Sequence, residues 1–191
     1  MTVKNIELEI MIVDVNYVEP SERAKKRSKE MIENGLYSRF KYNYDERVEK
    51  AYIGYLGELA FREYLNNENI QYTLNDTHYK EENSDDYDLL INGRTIDIKV
   101  ANKKTNKAPN DNWTFGYPEE QKPITKDYII VGWINEKNEE IGFYGWIEEE
   151  VVSMCEIVQE NSYAGYYYKT ANHEFTWGVL NKDFTVLFNR I

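Results

Sequence analysis

Cysteine is nearly absent from this chain. Cys155 is the single one, so no intramolecular disulfide framework can form, and such usage fits a reducing cytoplasm. Histidine is almost as scarce. His78 and His173 stand in unrelated contexts, which leaves no zinc-ligand spacing and no histidine-based catalytic pattern. No glycine-rich phosphate loop and no strand-turn-helix nucleophile motif occurs, so a nucleotide cofactor is not expected. Long apolar runs are missing too: no stretch approaches the roughly 20 apolar residues that a membrane helix needs. The opening MTVKNIELEIMIVDV carries charges through its apolar run and reads as a strand rather than a signal peptide. The expectation is a soluble cytoplasmic protein with no membrane partner.

Aromatic residues, by contrast, are plentiful. The 191 residues include 17 Tyr, 7 Phe and 4 Trp, and 41% of the chain is apolar, enough to fill the core of one domain despite a 30% charged fraction. The formal net charge is −11, the wrong sign for a protein that binds nucleic acid by charge alone. Local clusters run against that sum. Arg23, Lys25, Lys26, Arg27 and Lys29 share one predicted helix, while Lys99, Lys103, Lys104 and Lys107 lie in and just after a predicted hairpin. The plain alternative for both clusters is a solvated surface.

Alternation over residues 5–18 predicts a strand. A helix is expected from Ser21, as N-cap after Pro20, to about Asn34-Gly35. The clearest helix runs from Asp45, as its cap, to about Asn66, with Val48, Tyr52, Tyr55, Leu56, Leu59 and Leu65 near helical spacing. Gly54 and Gly57 interrupt it at a cost of about 1 kcal/mol each, which suggests close approach by another segment. A strand near Ile70–Leu74 and a polar loop lead to the hairpin. Residues 102–126 read as a long loop with at most one short element. Two strong strands follow, DYIIVGWIN at 127–135 and IGFYGWI at 141–147, then a short helix to about Ile157, a tyrosine-rich segment at 163–170 and a final apolar stretch at 184–191. The segment NSYAGYYYKT is a candidate base-stacking platform, although half-buried strands carry tyrosines at similar density. The organisation expected is a single domain with a core at 45–150, an N-terminal elaboration at 1–44 and a C-terminal one at 151–191.

The hairpin DDYDLLINGRTIDIKVANKK carries the chemistry. Asn92-Gly93 between apolar runs is a strong two-residue turn signal, because both positions require positive φ. That turn pairs Ile91 with Arg94, Leu90 with Thr95 and Leu89 with Ile96, and it sets Asp88 opposite Asp97. Opposed like charges cost roughly 0.2–1 kcal/mol, and a divalent cation would offset them. Period-two alternation sends Arg94, Ile96, Ile98 and Val100 to a core face, and Asp97 and Lys99 to the other, with Asp86 across from Lys99. Hard oxygen ligands of this kind suit Mg²⁺ or Mn²⁺. The chain has two acidic-x-Lys triplets, Asp97-Ile98-Lys99 and Glu120-Gln121-Lys122, and only the first sits in an apolar run with an acidic partner in register. On the upstream helix, Glu58 follows Gly57 beside the most apolar part of GYLGELAFREYL.

An acidic helix residue in a G-x-x-G-E-x-A setting, then an Asp, a hairpin turn and Asp-x-Lys, resembles the PD-(D/E)XK nuclease superfamily over residues 46–104. The resemblance implies a mixed α/β fold, with a central mixed β-sheet of about four or more strands flanked by helices, a restriction-endonuclease-like core. It implies that Asp88, Asp97 and the Ile98 carbonyl bind Mg²⁺ (Mn²⁺ substituting), that Lys99 orients or activates the attacking water, and that Glu58 completes the site directly or through water. Tyr87 stands where the family name has proline, and Asp97 replaces the commoner glutamate; neither change removes a functional group. The activity implied is hydrolysis of DNA phosphodiester bonds, with DNA as partner and a homodimer left open. Lys103, Lys104, Lys107, Arg23 and Lys26 are the candidate phosphate contacts. The rival reading is a catalytically inactive nuclease-like fold serving as a protein- or DNA-interaction module, which the acidity of the chain suits.

Overall fold

The structure, a computed structural model, describes residues 11–13, 18–36, 42–75, 87–121 and 123–191. A six-stranded mixed sheet forms its centre. In spatial order it contains β1 (Met11–Val13), β7 (Glu140–Glu148), β6 (Tyr128–Asn135), β4 (Arg94–Asn102), β3 (Leu89–Ile91) and β2 (Thr73–Leu74). Only β4 and β6 run parallel; the other neighbours are antiparallel. Helices α1 (Val18–Glu33), α2 (Tyr44–Asn67) and α4 (Phe184–Arg190) cover one face. The other face carries α3 (Glu149–Ser153) and a second antiparallel sheet of β5 (Thr114–Pro118), β9 (Tyr167–Thr176) and β8 (Ile157–Glu160), in that spatial order. The fold is thus α/β, with a central mixed sheet flanked by helices.

The apolar continuity of YIIVGWIN follows from this arrangement, because a strand covered on both faces has no polar side. Ile130 and Ile134 of β6 join the helix-side core with Leu56, Ala60, Phe61 and Leu65 of α2. Ile129, Val131 and Trp133 point the other way, into a second core with Tyr117, Phe175 and Trp177. Polar residues appear in β4 instead, between buried Ile96 and Ile98, and that exception places the candidate site.

Several boundaries differ from the sequence-based expectation. Helix α1 opens at Val18, ahead of Pro20, since a proline in the first turn lacks only an N–H that the helix would leave unpaired; Ser21 is therefore no cap, and its hydroxyl meets that of Tyr52 on α2 at 3.1 Å. The cap of α2 is Asn43 rather than Asp45. Its side chain accepts from the Glu46 amide at 2.9 Å while Glu46 accepts from the Asn43 amide at 3.2 Å, a reciprocal capping box. The long loop expected over 102–126 contains β5 and two short 3-10 turns. The stretch 151–191 supplies β8 and β9, and β9 pairs with β5 from the central part of the chain. Of the strand expected over 5–18, Met11–Val13 is described as β1, and Val18 belongs to α1. The polar loop with His78 and Asp86 lies outside the described residues.

Candidate functional site

The β3–β4 hairpin turns at Asn92 (φ 48) and Gly93 (φ 82), as the Asn-Gly signal requires. Its register is the expected one: Ile91 with Arg94, Leu90 with Thr95, Leu89 with Ile96. The ladder then stops. Asp88 donates its amide to the Ile96 carbonyl at 2.9 Å, and its Oδ2 accepts from the Ile98 amide at 2.6 Å. The direct Asp88–Asp97 opposition expected from the register is replaced by a straddle. The Asp88 carboxylate occupies the place of the next ladder carbonyl and satisfies a main-chain donor that β3 no longer reaches.

Asp97 lies on the sheet face turned away from α2 and is almost wholly enclosed, at 1% exposure. A carboxylate buried to that degree needs donors, and it has two. The Lys99 ammonium donates to Oδ1 at 2.7 Å, and the Tyr117 hydroxyl donates to Oδ2 at 2.9 Å. Lys99 Nζ also stands 5.9 Å from the centroid of the Tyr117 ring. Tyr117 comes from β5, in a segment the sequence suggested was mostly loop. Its only local signal was the apolar-aromatic run TFGYP, which is short and ends in proline.

Glu58 approaches from the helix side. Gly57 beside it packs on Val100 of β4, where a Cβ would come within 2.7 Å of Val100 Cγ1, so the close approach inferred from the glycine is present there. At Gly54 it is not, since a Cβ would meet nothing within 4 Å. Burial pushes the Glu58 carboxyl well above the usual carboxylate range, and the charges of Asp88 and, more weakly, Asp97 push the same way. Arg62, one turn further along α2, and Lys99 oppose them. Four groups separated by up to 41 residues in the chain, Glu58, Asp88, Asp97 and Lys99, therefore share one electrostatic neighbourhood at the edge of β4 where the β3 ladder ends.

The donors fit a hard divalent cation. A strand residue sends its N–H and C=O to the same side, so the Ile98 carbonyl faces the edge where Asp88 takes the Ile98 amide. Two carboxylates and a carbonyl form an oxygen set of the kind that holds Mg²⁺ or Mn²⁺ with water completing the shell. Among the described residues, no three Asp, Glu, His or Cys side chains converge closely enough to cage a metal. Asp88, Asp97 and the Ile98 carbonyl are the oxygen donors that could hold an ion at this edge.

The candidate phosphate contacts divide. Lys104, Lys107, Arg23 and Lys26 are exposed, with Arg23 3.5 Å from Glu19. Lys103 is buried; its ammonium lies 3.6 Å from Glu140 and 5.9 Å from the Trp133 ring centroid. Lys103 is thus a partner of β7 and not a surface contact, because its amide continues the β4–β6 ladder by donating to Ile134 and carries the side chain inward. In the tyrosine-rich segment, Tyr163, Tyr166 and Tyr167 are exposed, while Tyr168 is held by Glu174 and Asn161 at 2.6 Å each. His173 is buried opposite Tyr117 in the β5–β9 ladder.

No family model, curated protein or solved structure matches this chain. Among the described residues no helix is long and apolar enough to cross a membrane.

Proposed function

We propose that the chain is a metal-dependent DNA endonuclease of the PD-(D/E)XK kind. The observation that supports this reading is the placement of Asp88 on the Ile98 amide and of Lys99 on Asp97 at one strand edge, beside Glu58 of α2, whose carboxyl is held above the usual range by burial first and the Asp88 charge second. Asp88, Asp97 and the Ile98 carbonyl would hold Mg²⁺ or Mn²⁺. Such an ion neutralises charge on a scissile phosphate and lowers the pKa of a bound water. Lys99 has three donors on its ammonium, so it can anchor Asp97 and orient an attacking water at once. Glu58 would complete the site directly or through water. Tyr117 and the second sheet exclude water from the far side of Asp97.

The interaction-module reading gains from one observation. Both oxygens of Asp97 are already bonded within the chain, so the pocket is electrostatically coherent as an ion-pair cluster. Incubation with linear, supercoiled, single-stranded and four-way-junction DNA separates the two, with Mg²⁺, Mn²⁺ or EDTA and with Lys99→Ala and Asp97→Ala variants alongside. Metal-dependent cutting that both variants lose supports the nuclease. DNA or protein binding without cutting, unchanged by EDTA, supports the module.

A further inference from the structure

The second sheet delivers one side chain to the site, and nothing in the Asp-x-Lys hairpin calls for it. Tyr117 is fully buried, and its hydroxyl bonds Asp97 Oδ2 at 2.9 Å. Each carboxylate oxygen offers two acceptor positions. Lys99 takes one on Oδ1 and Tyr117 one on Oδ2, which leaves one on each oxygen. The two donors come from independent parts of the fold. Lys99 lies two residues along the same strand, whereas Tyr117 is anchored by the β5–β9 ladder and by the core it shares with Phe175 and Trp177. A lysine has four side-chain torsions and a tyrosine two, so the phenol is the stiffer constraint on the carboxylate plane.

We infer that Tyr117 is a positioning residue for the divalent cation: it fixes the carboxylate of Asp97 in the orientation that presents its remaining lone pairs to the metal. The inference rests on the metal-dependent reading above. It assigns the second sheet a role in the site, as the scaffold that holds an outer-shell donor in place. Partners of this kind, hydrogen-bonded to a ligating carboxylate, typically change metal affinity or activity by about 10–100-fold when removed. Lys99 stays at Asp97 in a Tyr117→Phe protein, so the carboxylate keeps one donor while its orientation is released.

The test is Mn²⁺ affinity by electron paramagnetic resonance, with no DNA present, on the wild-type chain, Tyr117→Phe and Phe175→Leu. Phe175 shares the Tyr117 core and has no polar group with which to bond Asp97, so its truncation reports what loosening the second sheet does by itself. The expected result is Mn²⁺ binding about 10–100-fold weaker in Tyr117→Phe, unchanged in Phe175→Leu, with the Mn²⁺ spectrum altered only in Tyr117→Phe. In cleavage, Tyr117→Phe should raise the metal concentration at half-maximal rate and leave KM for DNA unchanged. Equal Mn²⁺ affinity in wild type and Tyr117→Phe overturns the positioning role and leaves the nuclease reading intact. Equal weakening in Tyr117→Phe and Phe175→Leu also overturns it, since general packing is then sufficient. Absence of Mn²⁺ binding in the wild-type chain defeats the metal-dependent reading, and this inference with it.

Discussion

Gly57 of α2 sits against Val100 of β4 with no room for a methyl group: a Cβ would lie 2.7 and 2.8 Å from the two Val100 methyl carbons. Valine is stiff at χ1, so the strand cannot yield cheaply. This contact sets the distance between α2 and β4, and with it the position of Glu58, the next residue. Gly57→Ala is expected to destabilise the protein by about 1–2 kcal/mol, an overpacking penalty partly offset by better helix propensity. Gly54→Ala, in open space, should instead stabilise by up to about 1 kcal/mol. Paired denaturant melts check both, and equal signs for the two substitutions would contradict the packing argument.

Glu58 carries a pH signature with a definite sign. Its folded pKa is raised, by burial first and then by the Asp88 charge. The folded state therefore binds a proton more tightly than the unfolded chain, whose glutamates titrate near about 4.3. This contribution to stability is fully present below that value and is lost as pH rises through the folded pKa. Glu58→Gln should melt higher than wild type at pH 8, by about 2–4 °C if the gain is near 1 kcal/mol, and the two should converge below about pH 4. Calorimetry across pH 3.5–8 reads this, and a wild type that is the more stable at pH 8 would refute it.

The proposed metal site predicts metal-linked stability. A ligand that binds only the folded state at 100 times its dissociation constant adds about 2.7 kcal/mol, so Mn²⁺ or Mg²⁺ should raise the melting temperature of the wild-type chain. Asp97→Ala removes a central donor and should show no shift. Equal shifts in both proteins would place the ion elsewhere.

How much of this was legible in the sequence follows from how local each feature is. The Asn92-Gly93 turn and the first three pairs of the hairpin depend on residues a few positions apart, and they came out as expected. The strands β6 and β7 were equally plain, since a run such as YIIVGWIN has few other homes. Glu58 stands out in the sequence because Gly57 precedes it. Tyr117 does not, because its bond to Asp97 exists only once β5 pairs with β9, a partner more than fifty residues downstream. The burial of Lys103 likewise depends on Glu140 and Trp133, neither of which is near it in sequence. The departure of Asp88 from its register position arises where one strand ends before its partner, and alternation alone carries no information about that.

Asp127 ties the starts of the two parallel strands together. Its Oδ2 accepts from the Thr95 amide at 2.8 Å and the Thr95 hydroxyl at 2.9 Å, and its Oδ1 accepts from Arg94 at 2.9 Å. Burial works to raise its pKa, but these donors outweigh it and hold the carboxyl below the usual range. A depressed folded pKa contributes stability that is present above the unfolded value, about 3.9, and lost as pH falls through the folded one. Asp127→Asn is expected to cost about 1–3 kcal/mol at pH 7, with the gap closing below about pH 4. Urea melts at pH 7 and pH 3 check this, and a cost that is independent of pH would mean that the charge is irrelevant.

The lysines after β4 give opposite expectations at neighbouring positions. Lys104 and Lys107 are exposed, so if they touch DNA phosphates each substitution by alanine should weaken binding uniformly across sequences and reduce the slope of log K against log salt by about 1. Lys103 faces Glu140 at 3.6 Å from a buried position. Its removal leaves a partly exposed carboxylate without its partner, so Lys103→Ala should lower stability by about 1–3 kcal/mol and leave the salt slope of the remaining folded protein unchanged. Fluorescence anisotropy with labelled duplex between 50 and 200 mM salt, run beside thermal melts, separates the two behaviours. A salt slope that moves with Lys103 and not with Lys104 or Lys107 would mean that the DNA path runs along β4 itself, and that the Lys103–Glu140 pair opens when DNA binds.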